Sequence, residues 1–448
     1  MGECDESGVA AQYRGKSVFV IGGSGFLGKV LIEKLLYSCD GINKVYVLMR
    51  DKRSASAQQR LDEIFQLPVF SRLQKEKPWA MEKVAVVTGD LTSYNLGLSE
   101  TDVKEIIEKV SYVFHLGATV KFNDPVELMF DINVGGTERV MNLCKRMKRL
   151  QKFVYVSTAF SNSKHQVIEE RIYPLPFTLN AIKKQILGGL YPKEVEKLLD
   201  GRPNTYTFTK ALAEVYINDN RAHVPSVIVR PSIVVASLKE PVEGWIDTWS
   251  GANSVVWGIG LGLTRALRGK YSNATDLIPV DYVINLTIVA ATTDSYCSDE
   301  VAVYNSSSSE LNPIILRMVN EYVVGHSIEN KIYKRPNPNV ALTTSPINIY
   351  LLKLWKEIIP MYLSDVKDYF KGEKGRSVEL IRKLHFVESK MVPFIATSWV
   401  IRAQRTKALF QSLPQRDRDE FPFNPENIDW ENYMYTYCSG IREHLLKD

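Results

Sequence analysis

Short apolar runs alternate with helical patterns through the first third of the chain. Each run is rich in β-branched and aromatic residues and ends in glycine or small polar residues, as strands do. Strands that alternate with helices favour an α/β fold with a doubly wound parallel sheet, and ligands bind such sheets beyond the carboxyl ends of the strands. The predicted strands are Ser17–Ile21, Lys44–Met49, Val84–Thr88, Tyr112–His115, Phe153–Val156 and Ser226–Val229.

Departures from this alternation predict the domain organisation. Residues 1–12 are polar and acidic, and we expect a flexible tail there. The stretch between the fifth and sixth strands exceeds the length of one crossover helix, so Ser161–Pro203 is predicted to add a cap. After the serine run Ser306–Ser309 the pattern is mostly helical. We therefore predict a nucleotide-binding domain over residues 13–310, with a substrate cap, and a helical C-terminal domain over residues 311–448.

A glycine turn joins the first strand to the first long helical pattern and predicts a dinucleotide site. The turn fits G-x-x-G-x-x-G from Gly22 or G-x-G-x-x-G from Gly23. A strand, a glycine turn and a helix in that order place backbone N–H groups and a helix N-terminus against a pyrophosphate. The fold is therefore predicted to be Rossmann-type, and the predicted cofactor contacts in the turn are Gly22, Ser24, Gly25, Phe26, Leu27 and Gly28.

A Y-x-x-x-K pattern predicts the catalytic centre. Tyr206 and Lys210 are four residues apart, so they share one face of a helix between the fifth and sixth strands. A nearby ammonium favours the phenolate, and we expect it to lower the pKa of Tyr206 and make the phenol a proton donor or acceptor. Lysine can also hold the ribose of a nicotinamide. Elsewhere the same spacing is typical of an ordinary amphipathic helix.

Two hydroxyls end the fifth strand, and one of them is predicted to complete the centre. A hydroxyl there can donate a hydrogen bond to a substrate carbonyl oxygen and stabilise its developing charge. Thr158 is favoured over Ser157, because the first hydroxyl after a strand often satisfies backbone groups.

Composition excludes several classes of protein. A net charge of +5 over 448 residues does not indicate a nucleic-acid partner. The 5 cysteines and 6 histidines are scattered without metal-ligand spacing, so no metal is predicted. No G-x-S-x-G motif supports a hydrolase. No apolar run reaches the ~18 residues that span a bilayer.

These motifs together resemble the extended short-chain dehydrogenase/reductase superfamily, from about Lys16 to Thr293. The resemblance implies that Gly22, Gly25 and Gly28 hold the pyrophosphate of the cofactor. It also implies further cofactor contacts: Asp90 and Leu91 at the adenine, Ala118 and Thr119 in the groove, Tyr206 and Lys210 at the ribose, and Pro231 and Ser232 at the nicotinamide.

The end of the second strand decides the expected cofactor. An acidic residue there binds the ribose hydroxyls of NAD, whereas an arginine accommodates the 2′-phosphate of NADP. Arg50 occupies that position, so NADPH is predicted. Asp51 leaves the alternative open, because a shift of one residue would place an acid in the site.

Longer strings resemble the alcohol-forming fatty acyl-CoA reductases along nearly the whole chain. The strings are Gly25–Leu36, Val156–Phe160, Tyr206–Glu214, Arg230–Asp247, Asp276–Asn285 and, in the tail, Phe421–Asn424, Ile428–Tyr433 and Gly440–Arg442. The resemblance implies that NADPH reduces a long-chain acyl-CoA to a primary alcohol in two hydride transfers, with release of CoA. Asn424 replaces a usual aspartate. The alternatives are an aldehyde-releasing reductase, a sugar epimerase, a hydroxysteroid dehydrogenase and a non-catalytic NADPH-binding protein.

The substrate class suggests further expectations. CoA needs a basic mouth, and the acyl chain needs an apolar tunnel for which Trp249–Leu263 is a candidate. Many family members continue into hydrophobic anchors, whereas this sequence ends at Asp448. Met391–Ile401 is favoured as buried core, because Pro393 interrupts its apolar run, and peripheral contact through it or an anchor beyond Asp448 both stay open. The predicted location is the cytosolic face of a peroxisomal or ER membrane. Candidates for the basic mouth are Lys183, Lys184 and Lys193 and, less specifically, Lys145, Arg146, Lys148 and Arg149.

Overall fold

A seven-stranded parallel sheet forms the centre of the computed structural model, which describes residues 8–121, 124–249, 251–293, 300–335 and 338–446. The spatial order is β7-β6-β5-β4-β1-β2-β3, so the direction of winding reverses between β1 and β4. A crevice at such a reversal is where α/β sheets bind ligands. The strands are β1 (Ser17–Ile21), β2 (Lys44–Met49), β3 (Val84–Thr88), β4 (Val110–His115), β5 (Lys152–Val156), β6 (Ser226–Pro231) and β7 (Ala302–Ser306).

Helices cover both faces of the sheet and form most of the C-terminal third. In chain order they are α1 (Val9–Gln12), α2 (Phe26–Ser38), α3 (Ala57–Phe65), α4 (Ser71–Glu76), α5 (Glu100–Lys109), α6 (Val126–Phe130), α7 (Gly136–Cys144), α8 (Leu179–Leu187), α9 (Pro192–Leu199), α10 (Thr205–Asn220), α11 (Gly251–Gly260), α12 (Val280–Ala290), α13 (Leu316–Glu329), α14 (Pro346–Lys353), α15 (Ile359–Phe370), α16 (Ser377–Ala396), α17 (Gln404–Ser412), α18 (Gln415–Glu420) and α19 (Trp430–Gly440).

Shorter segments complete the chain. The π-helical segments within the described residues are Asp131–Gly135, Leu354–Ile358 and Ile441–Leu446. The 3₁₀ segments are Pro68–Phe70, Pro78–Lys83, Tyr94–Gly97, Ala159–Asn162 and Pro425–Asn427. The remaining strands pair two by two as Ile233–Val235 with Leu277–Pro279, Ala274–Thr275 with Ile314–Ile315, Ala266–Arg268 with Ala341–Thr343, and Val167–Ile168 with Val400–Ile401.

The central strands are buried on both faces, which explains their continuous apolar runs. Every residue of β1, β4, β5 and β6 is buried. Parallel sheets require such burial because crossover helices cover both faces. The doubly wound α/β fold is therefore confirmed. The seventh strand, β7, was missed because its short run Ala302–Ser306 merges into the serine-rich stretch that follows.

The C-terminal helices share a core with the sheet domain. Two short strands of the C-terminal part pair with strands of the first domain: Ala341–Thr343 pairs with Ala266–Arg268, and Val400–Ile401 pairs with Val167–Ile168. Gly440 of α19 meets the loop at Gly244 so closely that a Cβ on Gly440 would lie 1.8 Å from the Gly244 carbonyl oxygen. Only glycine fits there, and the contact brings α19 against the loop that follows β6.

One expectation for a flanking segment needs correction, and the structure decides between two interpretations of another. Residues 1–7 lie outside the described residues, but Val9–Gln12 form a helix, and the Val9 amide donates to Asp417 Oδ2 at 3.0 Å. The end of the expected flexible tail is therefore folded. In Met391–Ile401, the side chains of Met391, Phe394, Ile395 and Ile401 are buried. That segment is therefore mostly core, although the Val400 side chain is 38% exposed.

Candidate active site

The glycine turn after β1 forms a backbone cradle. Gly22 has φ of +90°, and a Cβ on Gly28 would lie 2.2 Å from the Gly22 carbonyl oxygen. Gly25 is the N-cap residue of α2, and no side chain caps that helix end. Gly23 instead faces the sheet, because its Cβ would meet Val47 at 2.5 Å. The frame that starts at Gly22 therefore describes the cradle, and its open helix N-terminus suits a pyrophosphate.

The loop after β6 closes over the side of this turn. The ring of Phe26 stacks on Trp245 with centroids 5.3 Å apart. Lys29 of α2 forms an ion pair with Asp247. Because Gly244 of the same loop packs on α19, the C-terminal helices support the cofactor turn through this loop.

Arg50 and Asp51 have different surroundings at the end of β2. Asp51 Oδ1 accepts a hydrogen bond from the Ala57 amide at 2.7 Å, which commits it to the N-terminus of α3. The Arg50 side chain is 67% exposed and donates to Asp90 Oδ2 at 3.3 Å. Although burial acts to raise it, hydrogen bonds from Thr92 and the charge of Arg50 lower the pKa of Asp90. The basic side chain therefore faces the crevice edge.

Asn133 fixes the loop that follows β4. Its Oδ1 accepts from the Thr119 amide at 2.9 Å, and its amide nitrogen donates to Thr209 of α10 at 3.0 Å. Leu91 lies beneath the same loop, because a Cβ on Gly117 would meet it at 2.8 Å. The Ala118–Thr119 loop is thus tied to the helix that carries the Y-x-x-x-K pattern.

The two hydroxyls at the end of β5 have separate roles. Ser157 Oγ donates to Glu214 Oε1 at 2.5 Å, so it is used within the protein. Thr158 is 6% exposed and caps the segment Ala159–Asn162 by accepting from the Phe160 amide at 3.3 Å. Its Oγ1 lies 3.5 Å from the Pro231 carbonyl oxygen, which is long for a hydrogen bond. Of the two hydroxyls, Thr158 is the one whose O–H group is not committed to a strong hydrogen bond within the protein.

Helix α10 carries Tyr206 in its first turn and brings Lys210 to the same strand end. Asn204 caps the helix by accepting from the Thr207 amide at 2.9 Å, which sets Tyr206 in the first turn. Lys210 is buried and donates to the Val156 carbonyl oxygen at 2.7 Å. Its Nζ lies 4.1 Å from the centre of the Tyr155 ring. Lys210 thus reaches the end of β5, two residues before Thr158.

The pKa expected for Tyr206 is wrong in this structure. Burial raises the pKa of the Tyr206 phenol above its ordinary value. Burial also lowers the pKa of Lys210 to about 7, with the Glu214 carboxylate acting in the opposite direction. Lys210 is directed at Val156 and the Tyr155 ring, and desolvation outweighs any attraction between ammonium and phenolate. Tyr206 is therefore protonated at neutral pH.

Ser232 follows β6 and has an orphaned hydroxyl. Its Oγ is buried and has no hydrogen-bond partner among the described residues. Buried polar groups in proteins are normally paired, so an unpaired one facing a site fits a missing ligand. The open cradle at Gly25 and this hydroxyl are the two observations that fit a dinucleotide along the carboxyl edge of the sheet.

An apolar cavity of about 50 Å³ lies between α11 and the C-terminal helices. Ile233, which follows Ser232, forms part of its wall, as do Val256 and Ile259 within the Trp249–Leu263 stretch. Residues of α13 and α16, including Val319, Met391 and Ile395, form the opposite side. The predicted stretch does line an apolar space beside the site.

The basic side chains suggested for a CoA mouth differ in position. Lys183 forms an ion pair with Glu138 at 3.0 Å, while Lys184 and Lys193 are exposed on the cap. The other four precede β5 and therefore lie at the amino end of the sheet, away from the cofactor turn; they are Lys145, Arg146, Lys148 and Arg149.

One close acid and histidine group occurs elsewhere, at Glu357, His385 and Glu388. Glu357 Oε1 accepts from the Arg265 and Ala266 amides, and its other oxygen contacts His385 Nε2 at 2.5 Å. Glu388 accepts from Thr264 and Lys353. Protein donors thus occupy each carboxylate oxygen of the group, which is the pattern of a structural cluster.

Sequence reasoning missed three residues that build the site. Asn133 joins two site loops, and Glu214 and Arg230 form a buried ion pair with Nη2 to Oε2 at 2.7 Å. A signal for Arg230 was present, since a charged residue inside an otherwise apolar strand requires a partner. Nothing in the local pattern identified Asn133, because its partners lie on distant segments.

Comparisons with known proteins agree with this architecture. Two family models described as "Male sterility protein" match, an NAD-binding model over residues 20–287 and a second model over residues 356–448. Fatty acyl-CoA reductase 1 of Gallus gallus is 34% identical over 97% of this chain and 86% of its own length. Fatty acyl-CoA reductase 2 of Mus musculus is 32% identical over 98% of this chain and 86% of its own.

Solved structures support the fold. The terminal R domain from the myxalamid PKS-NRPS pathway has a TM-score of 0.67 at 18% identity, covering 96% of this chain and 91% of that one. The R domain of a nonribosomal peptide synthetase from Mycobacterium tuberculosis has a TM-score of 0.62 at 18% identity, covering 99% and 96%. With an NAD-binding match over most of the sheet domain, the cofactor is a nicotinamide dinucleotide. The chain is an oxidoreductase that belongs to the family of fatty acyl-CoA reductases.

Proposed function

We propose that the protein reduces a long-chain fatty acyl-CoA to the primary fatty alcohol, using two equivalents of NADPH and releasing CoA thiol. The observation that carries the proposal is that Lys210 of α10 donates to Val156 at the carboxyl end of β5, two residues before Thr158, with Tyr206 one turn earlier in the same helix. The relatives named fatty acyl-CoA reductase support the substrate class.

The choice of NADPH over NADH is supported by the end of β2. Asp51 is bound to the start of α3, so it is not available to the hydroxyls of a ribose. Arg50 is exposed at the crevice edge and can pair with a 2′-phosphate. The turn residues Gly22, Ser24, Gly25, Phe26, Leu27 and Gly28 would hold the pyrophosphate, and Asp90, Leu91, Ala118, Thr119, Pro231 and Ser232 would line the rest of the dinucleotide.

The first half-reaction reduces the thioester. Bound along the carboxyl edge of the sheet, NADPH would supply the hydride that the carbonyl carbon accepts. Thr158 and Tyr206 donate hydrogen bonds to the carbonyl oxygen and stabilise the negative charge that develops there. The resulting tetrahedral oxyanion collapses to a fatty aldehyde as the bond between carbon and sulfur breaks, and the CoA thiolate takes one proton from solvent and leaves as the thiol.

The second half-reaction reduces the aldehyde and needs a proton. Tyr206 is protonated at neutral pH because burial raises the pKa of its phenol, so it can donate that proton to the alkoxide oxygen. Lys210, whose pKa burial lowers to about 7, lies one turn further along α10 and would hold the ribose of the nicotinamide. Each acyl-CoA thus consumes two hydrides and two protons and yields one alcohol and one CoA thiol.

The apolar cavity supports a long acyl chain. Its wall begins at Ile233, one residue from the Ser232 hydroxyl, and is completed by α11, α13 and α16. A chain lying there would keep its thioester toward Thr158, although the cavity of about 50 Å³ must widen by side-chain movement to hold it. Location at the cytosolic face of a peroxisomal or ER membrane follows from the substrate class alone and stays a prediction.

The test is product identification with purified protein, palmitoyl-CoA and NADPH. We expect hexadecanol. Accumulated hexadecanal would make the protein an aldehyde-releasing reductase, and the absence of both products across acyl lengths would refute acyl-CoA reduction. Replacing NADPH by NADH tests the cofactor choice: we expect at least about a tenfold loss of kcat/KM, and Arg50→Ala should narrow that difference.

A further inference from the structure

Large hydrophobic side chains are exposed on one part of the C-terminal helices. Of the 24 large exposed hydrophobic residues in the described ranges, 11 fall within residues 347–386. We call this set the outer face. Its members are Ile347, Tyr350, Leu351, Trp355, Tyr362, Leu363, Val366, Tyr369, Phe370, Leu380 and Phe386.

The outer face follows helical spacing. Ile347, Leu351 and Trp355 recur at intervals of four along α14 and the π-helical segment after it, and Leu363, Val366 and Phe370 recur along α15. The apolar stripe of an amphipathic helix normally faces the core. Here no residue of α14 is buried, so the stripe points to solvent. A concentration of large exposed hydrophobic side chains within so short a stretch of chain is typical of an interaction site.

Basic side chains surround the outer face. Residues 346–390 carry seven exposed Lys and Arg side chains but two exposed acidic ones. Two of the basic side chains contact its aromatic residues directly: Arg382 donates to the Tyr362 hydroxyl at 3.1 Å, and Lys390 Nζ lies 5.3 Å from the Phe386 ring centre. The exposed basic residues are Lys356, Lys367, Lys371, Lys374, Arg376, Arg382 and Lys383.

We propose that the outer face docks on an anionic phospholipid surface. Apolar stripes flanked by Lys and Arg are the pattern of helices that lie in a membrane interface, and Trp and Tyr favour the headgroup level. The excess of positive charge favours lipid phosphates and opposes a second copy of the chain, because two outer faces would bring like charges together. Among the large apolar side chains of Met391–Ile401, only Val400 is exposed, so we assign that segment no part in the docking.

Docking would place a wall of the apolar cavity near the bilayer. Helix α16 carries Phe386 on the outer face and Met391 and Ile395 at the cavity, five and nine residues later in the same helix. An acyl chain leaving the lipid would then have a short path to the site. This consequence depends on the proposed function, whereas the docking itself does not.

The test is flotation of the purified full chain with vesicles, which requires no turnover. We expect it to float with phosphatidylcholine vesicles that contain phosphatidylserine, and less with phosphatidylcholine alone. Trp355→Ser/Phe370→Ser and Lys367→Glu/Lys371→Glu should each lower the partition constant about tenfold. The matched controls are Trp79→Ser, at an exposed tryptophan elsewhere, and Lys75→Glu/Lys104→Glu; both should float like the wild type.

The same variants keep the proposal falsifiable. All of them should retain the wild-type melting temperature, because the altered side chains are exposed. The proposal is overturned if the wild type does not float, or if the controls lose as much binding as the outer-face variants. It is also overturned if the wild type is a dimer without lipid that Trp355→Ser/Phe370→Ser dissociates, since the outer face would then be an interface between copies. Reduction of dispersed palmitoyl-CoA, measured separately, reports on the proposed function alone.

Discussion

Two clusters of buried carboxylates lie in different parts of the molecule and stabilise different things. Glu214 lies beneath the active site, where it accepts from Arg230, Ser157 and Ser161. Glu357 and Glu388 lie beneath α14–α16, where they accept from two backbone amides, Thr264, Lys353 and His385. Each cluster satisfies its carboxylates almost entirely with protein donors.

The two clusters differ in the part of the molecule that each one holds in place. The hydroxyl next to Ser157 is Thr158, so the Glu214 cluster fixes the strand end that carries the chemistry. The Glu357 and Glu388 cluster holds the helices that carry the outer face, and no reacting group is near it. The comparison teaches that similar buried acid clusters can support a catalytic centre or a docking surface, and that their partners, not their composition, distinguish the two.

The largest expected effect is at the active site itself. Tyr206→Phe removes the proton donor above the Glu214 cluster, and we expect kcat to fall about 10²–10⁴-fold with little change in melting temperature. Tyr369→Phe, at an exposed tyrosine of the outer face, is the matched control and should keep full turnover. Unchanged turnover in Tyr206→Phe would show that another group donates the proton.

Breaking the Glu214 cluster should cost stability next. Arg230→Met leaves Glu214 buried without its cation, and we expect the free energy of unfolding in urea to drop by about 3–5 kcal/mol. Arg402→Met removes a half-exposed guanidinium from its pair with Glu310 and should cost much less than Arg230→Met. Equal losses in the two variants would contradict the burial argument.

Lys210→Met should reveal the cost of burying an amine. Between pH 7, near the folded pKa of Lys210, and the higher pKa of an unfolded lysine, only the unfolded chain holds the proton, so wild-type stability rises with pH there. We therefore expect Lys210→Met to be more stable than the wild type by about 1–3 kcal/mol at pH 7, and the gain to shrink toward pH 10. A gain that is independent of pH would mean that Lys210 is not desolvated. Turnover by Lys210→Met should be lower than turnover by the wild type.

Glu388→Gln is expected to have the smallest effect. Burial raises the pKa of Glu388, with Lys353 and Thr264 acting against it, so the wild type loses stability as pH rises through that pKa. The neutral amide removes this dependence, and we expect a change within about 1 kcal/mol at pH 8. A loss as large as that of Arg230→Met would make the two clusters equivalent in their dependence on charge.

The sequence predicted the sheet and its site better than the C-terminal helices. The glycine turn and Y-x-x-x-K depend on residues close in sequence, so six strands, the cradle and the positions of Thr158, Tyr206 and Lys210 could be derived. The pKa of Tyr206 could not, because it depends on burial. The outer face was also missed: an amphipathic stripe looks the same in a sequence whether it packs on a core or faces solvent.

The lengths and the apolar character of the helices bear on how the protein could contact a membrane. Within the described ranges, no helix combines the length and the apolar character needed to cross a bilayer. The exposed stripes of α14 and α15 lie along helices of 8 and 12 residues, which suits a position in the plane of an interface. Flotation of the outer-face variants therefore separates surface docking from any other mode of attachment.

The most direct test of the central claim is the ratio of NADPH oxidised to CoA thiol released during turnover of palmitoyl-CoA. Absorbance of the reduced nicotinamide and a thiol reagent report the two quantities on one sample. Two successive hydride transfers at a single site predict a ratio of two, with hexadecanol as the lipid product. A ratio of one, with aldehyde accumulating, would contradict the account.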